Sequence, residues 1–202
     1  MTSIKICGIT RHEDAQEAAR LGATFVGFVL WEGSPRAATI AQVRAIAASL
    51  PGDVTPVGVF VNPTTDAINA AADAGIRLAQ VHGDASDDFV DARVPVIRAV
   101  HLAGDGADGI APDVDDELVL LDAHDPARHG GTGKTIDWAR AARISRTRRI
   151  ILAGGLTPFN VRQAIEQVRP FAVDVASGVE SSPGIKDHGL LRAFIVAAKE
   201  HA

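Results

Sequence analysis

Cys7-Gly8, Ser34-Pro35-Arg36, Asn62, His82-Gly83, Asp122, Gly154-Gly155 and Ser177-Gly178 are the places in this chain where residue type and setting could do chemistry. Each lies at or just beyond the end of a short apolar run. A lone thiol is most simply a small buried hydrophobe, but Cys7 is followed by a glycine that would let a ligand approach it. Asp122 closes the run Leu118-Val119-Leu120-Leu121. It reads either as a cap for the next segment or as a carboxyl held protonated in a partly apolar mouth. A base on one side of a substrate and an acid on the other would suit the relocation of a proton. Gly154-Gly155 and Ser177-Gly178 could be tight turns and nothing more. Where such turns lead into helix N-termini, their exposed backbone N–H groups attract an anion.

Other signals fail. Gly130-Gly131-Thr132-Gly133-Lys134-Thr135 looks like a phosphate-binding loop, but the first glycine of that pattern would fall on Arg128. It reads instead as a loop after the sixth strand that could serve as a lid. The histidines lack metal-ligand spacing, His124 and His129 included. No Gly-x-Gly-x-x-Gly opens a helix, so neither metal nor dinucleotide cofactor is expected. A formal charge of -5 gives no electrostatic footprint for nucleic acid. No apolar run approaches the ~18–20 residues of a membrane span, and no leader pattern is seen at the start. A single cysteine forms no internal disulfide, so a cytoplasmic protein is expected. A small phosphorylated molecule is the expected partner, and the sequence leaves monomer and homodimer open.

Position follows from the elements. Strands are predicted at Ile4–Cys7, Phe25–Leu30, Pro56–Val61, Leu78–Val81, Val96–Val100, Leu118–Leu121, Ile150–Ala153 and Ala172–Val175. Most are continuous apolar runs, as parallel strands buried on both faces should be. Helical patterns separate them. Thr10 with Glu13 reads as a capping box for the first helix. Thr39 caps the second, which Pro51 stops, and Thr157-Pro158 would open another as cap and first helical residue. Gly22 and Gly75 fall where left-handed glycines end helices. Between Val100 and Leu118 the Gly- and Asp-rich chain gives no convincing fifth helix, which is expected to be short or replaced by loop. The alternation predicts an α/β fold, a (β/α)8 TIM barrel, with 1–202 as one catalytic domain, although such barrels usually run to about 250 residues. An open doubly wound sheet is the competing architecture.

In such a barrel the active site lies at the C-terminal ends of the strands. Strand alternation puts Lys5 and Cys7 inside and Ile4 and Ile6 outside. Asp174 in the eighth strand could then pair with Lys5 as a buried structural ion pair, or serve the reaction directly.

The strand ends, in order, resemble a family. Lys5-Ile6-Cys7-Gly8-Ile9-Thr10, Gly27-Phe28, Ser34-Pro35-Arg36, Gly58-Val59-Phe60-Val61-Asn62 and Gln80-Val81-His82-Gly83 are similar to motifs of the phosphoribosylanthranilate isomerases. So are Leu121-Asp122-Ala123, Gly130–Gly133, Leu152-Ala153-Gly154-Gly155-Leu156, Val173–Glu180 and Pro183-Gly184-Ile185-Lys186-Asp187. Together they cover the chain from end to end. The resemblance implies a cofactor-free Amadori rearrangement in tryptophan biosynthesis, with Cys7 as general base and Asp122 as general acid. It associates Arg36 with the anthranilate carboxylate and places the phosphate at Gly154, Gly155, Ser177 and Gly178. His82 is counted with the substrate-binding residues. A free thiol titrates at ~8.5, so the site is expected to favour the anion, with Lys5 as a source of positive charge. Val81, Ala37 and Ala176 depart from the commoner residues at their positions, which bears on substrate packing. A histidine-pathway isomerase of the same chemistry resembles this family but carries aspartate at the base position. A non-catalytic sugar-phosphate-binding barrel would need neither Cys7 nor Asp122.

Overall fold

The computed structural model describes residues 2–83, 89–102, 118–123 and 137–200. Eight strands form a closed parallel barrel in chain order: β1 (Ser3–Cys7), β2 (Phe25–Val29), β3 (Thr55–Val61), β4 (Leu78–His82), β5 (Val96–Leu102), β6 (Leu118–Ala123), β7 (Arg149–Leu152) and β8 (Ala172–Val175). Closure is by β1 on β8, with Lys5 opposite Asp174. A (β/α)8 barrel therefore replaces the open-sheet alternative.

The apolar side chains divide into two sets, as period-two strands require. Val57, Leu78, Ile97, Leu120, Ile151 and Ala172 fill the barrel interior. Ile4, Ile6, Val26, Phe28 and Val173 face outward into a larger core with the helices. Lys5 and Cys7 consequently point inward, and both are buried.

Around the barrel stand α1 (His12–Leu21), α2 (Ile40–Ala47), α3 (Thr65–Asp73), α4 (Trp138–Ile144), α5 (Val161–Val168) and α6 (His188–Lys199). Helix α2 begins as expected, with Thr39 accepting from the Gln42 N–H in a reciprocal capping box. Helices α1 and α3 end in Schellman motifs on Gly22 and Gly75, at φ 94° and 108°. In each, the glycine N–H and the next N–H donate back into the last turn, Gly22 to Ala19 and Ala23 to Ala18 in the first.

Two predicted caps differ. Thr10 does not cap α1, whose N-cap Arg11 makes no side-chain cap bond. The Thr10 hydroxyl instead donates to the Gly184 carbonyl at 2.5 Å. Thr157-Pro158 does not open α5 either. It forms a separate turn closed by Asn160, whose Oδ1 accepts from the Thr157 N–H at 2.7 Å, and the helix starts at Val161. Between β4 and β5, described residues 89–95 form no helix. The expected loop in place of the fifth helix and the possible lid at Gly130–Gly133 lie outside the described residues.

Past β8 comes an element the strand reading missed. A single 3₁₀ turn (Ser177–Val179) leads into an antiparallel hairpin, β9 (Glu180–Ser182) and β10 (Ile185–Lys186), folded against the barrel rim.

Candidate active site

A cavity of about 500 Å³ opens at the C-terminal ends of the strands. Of the residues singled out above, its wall includes Cys7, Ser34, Pro35, Arg36, His82, Asp122, Gly154, Gly155, Ser177 and Gly178, but not Gly8 or Gly83. Asn62 is not among the lining residues. Its side chain packs under Gly83, where a Cβ would collide with it.

The cavity floor is a layer of inward side chains from successive strands. Lys5 donates to Asp174 at 2.9 Å, with neither side chain more than a tenth exposed. Burial alone would pull the Lys5 ammonium down, but Asp174 and the Cys7 sulfur outweigh it and hold the pKa above the ordinary lysine value. Lys5 is therefore a fixed cation beneath the sulfur. Burial pushes the Cys7 thiol above its usual range, and Asp174 adds to that, while Lys5 and Lys186 pull the other way without prevailing. That direction runs against the expectation that the site favours the anion: burial is the largest influence, Lys5 opposes it, and Asp174 offsets part of what Lys5 contributes.

Gln80 and His82 stand one above the other on β4, with Gln80 Nε2 and His82 Nε2 2.8 Å apart. The Gln80 Oε1 is buried and has no hydrogen-bond partner among the described residues. Both side chains line the cavity. Trp31, beyond β2, contributes a flat apolar wall on the side of Arg36. Its indole lies over Gly33, where a Cβ would stand 2.5 Å from the ring.

Arg36, associated above with the anthranilate carboxylate, carries a planar fork of donors. Half of it is already engaged: Nε and Nη2 donate to the Glu180 carboxylate at 2.7–3.0 Å. Nη1 makes no hydrogen bond among the described residues and remains for a ligand. Gly8, at φ 74°, allows this packing, since a Cβ there would stand 2.8 Å from Arg36 Cδ.

On the opposite wall, Gly154 and Gly155 take successive left-handed conformations, φ 86° and 66°, which only glycine adopts without strain. Ser177 and Gly178 open the 3₁₀ turn. The backbone N–H groups of these four residues make no hydrogen bond among the described residues, and all four line the cavity. Free N–H groups converging on a concave wall form an anion site. Neither segment runs directly into a long helix, so an anion held here would be drawn by the N–H cluster more than by a helix dipole.

Sequence reasoning passed over Glu180 and Lys186. Both sat inside quoted motifs, and Ser182-Pro183-Gly184 between them is a turn signal that could have paired them.

Closed parallel barrel and rim cavity together, with thiol, carboxyl, guanidinium and anion-binding turns converging, define a barrel enzyme for a small anionic substrate. The family model for N-(5'phosphoribosyl)anthranilate (PRA) isomerase matches residues 4–197, and the chain belongs to that family. A relative of that name from Geobacter sp. (strain M21) is 45% identical over 202 residues, covering 99% of each chain. Another, from Pseudomonas savastanoi pv. phaseolicola, is 47% identical over 197 residues, covering 96% of this chain and 95% of its own. Among solved structures, the phosphoribosyl anthranilate isomerase of Thermus thermophilus matches with a TM-score of 0.88 at 36% identity over 100% of both chains. One solved in complex with reduced 1-(o-carboxyphenylamino)-1-deoxyribulose 5-phosphate matches at 0.82 and 36%, over 99% and 100%.

Proposed function

We propose that residues 1–202 act as one catalytic domain that isomerises N-(5'-phosphoribosyl)anthranilate to 1-(2-carboxyphenylamino)-1-deoxyribulose 5-phosphate, a step of tryptophan biosynthesis. The observation that carries the reading is the single cavity onto which Cys7, Asp122, Arg36 and the four glycine-turn N–H groups converge. Phosphate is held by the backbone N–H groups of Gly154, Gly155, Ser177 and Gly178. The anthranilate carboxylate meets the free Nη1 edge of Arg36, and its ring lies against Trp31. The sugar then spans the cavity between Cys7 and Asp122.

Asp122, as the acid, protonates the furanose oxygen. The anilino nitrogen lone pair drives the C1–O bond open and leaves an iminium. Cys7 then takes the C2 proton, electrons flow back to nitrogen, and the resulting enolamine tautomerises to the ketone as C1 takes up a proton and the C2 hydroxyl gives up its own. The substrate nitrogen is its own electron source, so the steps need only an acid and a base, each typically worth ~10²–10⁴-fold. His82 and Gln80 offer polar contacts to the sugar hydroxyls. A reduced thiol suits the cytoplasm. Every proposed site residue lies on one chain, so monomer and homodimer serve the reading equally.

The test is fluorescence-monitored consumption of phosphoribosylanthranilate by the purified chain, with steady turnover expected. Silence there, together with activity on the histidine-pathway aminoaldose, would overturn the reading. Tight binding of the substrate without turnover would favour a non-catalytic barrel.

A further inference from the structure

Lys186, on β10, is the most completely satisfied buried cation among the described residues that the reaction does not use. Its Nζ donates to the Cys7 carbonyl at 2.6 Å, the Ala176 carbonyl at 3.2 Å and the Glu180 carboxylate at 2.8 Å, which accounts for all three protons. The first two acceptors are the residues that follow the last paired positions of the β1–β8 seam, Ile6 and Val175. Lys186 therefore adds a side-chain rung where the backbone ladder stops, at the residue that carries the thiol. Its own N–H donates to Asp14 Oδ2 at 3.1 Å, which anchors the hairpin on α1. Glu180 accepts from Lys186, from two nitrogens of Arg36 and from the Gly184 N–H. One hairpin thus touches both the main chain of Cys7 and the guanidinium of Arg36.

We propose that Lys186 and Glu180 are positioning residues of the isomerase reaction: Lys186 fixes the main chain of Cys7 and stands by as a second cation for its thiolate, and Glu180 holds the Arg36 guanidinium with Nη1 toward the cavity. This rests on the roles given to Cys7 and Arg36 above.

The charges fit. The groups facing the thiol are Lys5 and Asp174 from β1 and β8 and Lys186 from β10, with Arg36, His82 and Asp122 elsewhere on the cavity wall. Lys5 is the largest influence favouring the thiolate, Asp174 offsets part of it, and Lys186 adds a second cation on the same side of the balance. Lys186 is drawn down by burial, with Glu180 the main influence restoring it. Glu180 would be raised by burial, but Arg36 and Lys186 outweigh that and keep it ionised. A charged Lys186 in place before Cys7 ionises is an electrostatic preorganisation that costs nothing at the moment of reaction.

The test uses the full chain, in which alkylation by iodoacetamide reports the single cysteine alone. For Lys186→Met, the midpoint of alkylation rate against pH is expected to rise by about one unit, a tenfold loss of thiolate at a given lower pH. kcat should fall tenfold or more, by about the same factor or beyond, with KM within about threefold. For Glu180→Gln, KM should rise about tenfold, and adding Arg36→Met should raise KM little beyond Arg36→Met alone, because Glu180 acts on binding through that arginine. An unchanged alkylation midpoint in Lys186→Met, or additive rises in KM from Glu180→Gln and Arg36→Met, would overturn the corresponding half. If Lys186→Met does not fold, Lys186→Gln takes its place with the same expectations. If the wild-type chain fails to turn over phosphoribosylanthranilate, the functional reading falls, while the alkylation midpoint still decides whether Lys186 tunes the thiol.

Discussion

Gly27 stands beside Cys7 across the β1–β2 ladder, and a Cβ built on it would lie 3.0 Å from the Cys7 sulfur and 3.2 Å from Lys5 Nζ. The glycine is not there for an unusual backbone, since its φ is not left-handed. It is there for room. The inward slot that β2 would otherwise fill with a side chain is occupied by the thiol and its neighbouring cation. A Cβ would also lie 3.2 Å from the Cys7 Cα, so Gly27→Ala is expected to fold with a small local shift of β1 and to push the sulfur out of line with the C2 proton. A misplacement of that order costs up to ~10²-fold in rate. Steady-state kinetics with a thermal melt check it: wild-type kcat in a folded Gly27→Ala variant would refute the crowding argument.

With Cys7 in its proposed role as base, the thiol pKa sets the pH dependence. Burial raises it above the ordinary thiol range, so the active thiolate grows with pH through neutrality. Below that pKa, each unit of pH multiplies the thiolate fraction tenfold, so kcat/KM should climb with pH through neutrality and level only above the ordinary thiol range of ~8.5. Lys5 is raised and stays charged throughout this interval. A profile level from about pH 6 to pH 8 would rule out a free-enzyme thiol as the ionising base.

What was legible in the chain followed from local physics. The eight strands stood out because parallel strands buried on both faces are apolar without interruption, and the inward set Lys5 and Cys7 followed from alternation. Gly22 and Gly75 were legible because only glycine ends a helix cheaply in the left-handed region. Thr10 and Thr157 misled for the opposite reason. Their side chains satisfy partners that sequence neighbours do not reveal, Gly184 in one case and a turn closed by Asn160 in the other. The hairpin at Glu180–Lys186 was hidden because its meaning lies in contacts with Cys7, Asp14 and Arg36, more than 140 positions away. The direction of the Cys7 shift was hidden too, since it depends first on how deeply the barrel buries the sulfur and then on how far Lys5 and Lys186 offset that.

The Lys5–Asp174 pair makes a stability prediction. Removing one partner strands the other charge in the barrel, which typically costs about 3–5 kcal/mol, whereas replacing both by apolar side chains of similar volume is often near neutral. Asp174→Asn should therefore melt well below wild type, and Lys5→Met with Asp174→Leu should recover most of the loss. Thermal unfolding of the singles and the double decides. A double variant no more stable than the worse single would show that the pair does more than satisfy its own charges.

Gly178 tests the phosphate wall. A Cβ there would run into the Leu156 carbonyl, so Gly178→Ala must displace the turn after β7 or the one after β8 and spoil the convergence of their N–H groups. In the proposed placement the phosphate is remote from the reacting carbons and would be held alike in ground and transition states, so a weaker grip should appear in KM, with kcat held within a few-fold. An expected tenfold rise in KM corresponds to about 1.4 kcal/mol of binding, in keeping with one or two weakened charge-assisted hydrogen bonds. Inorganic phosphate, as a competitive inhibitor, should weaken by the same factor. Asp122→Asn provides the contrast: kcat should drop by ~10²–10⁴-fold while phosphate inhibition stays at its wild-type strength. If Gly178→Ala lowers kcat and leaves phosphate inhibition intact, the two glycine turns do not grip the anion and the substrate lies the other way round in the cavity.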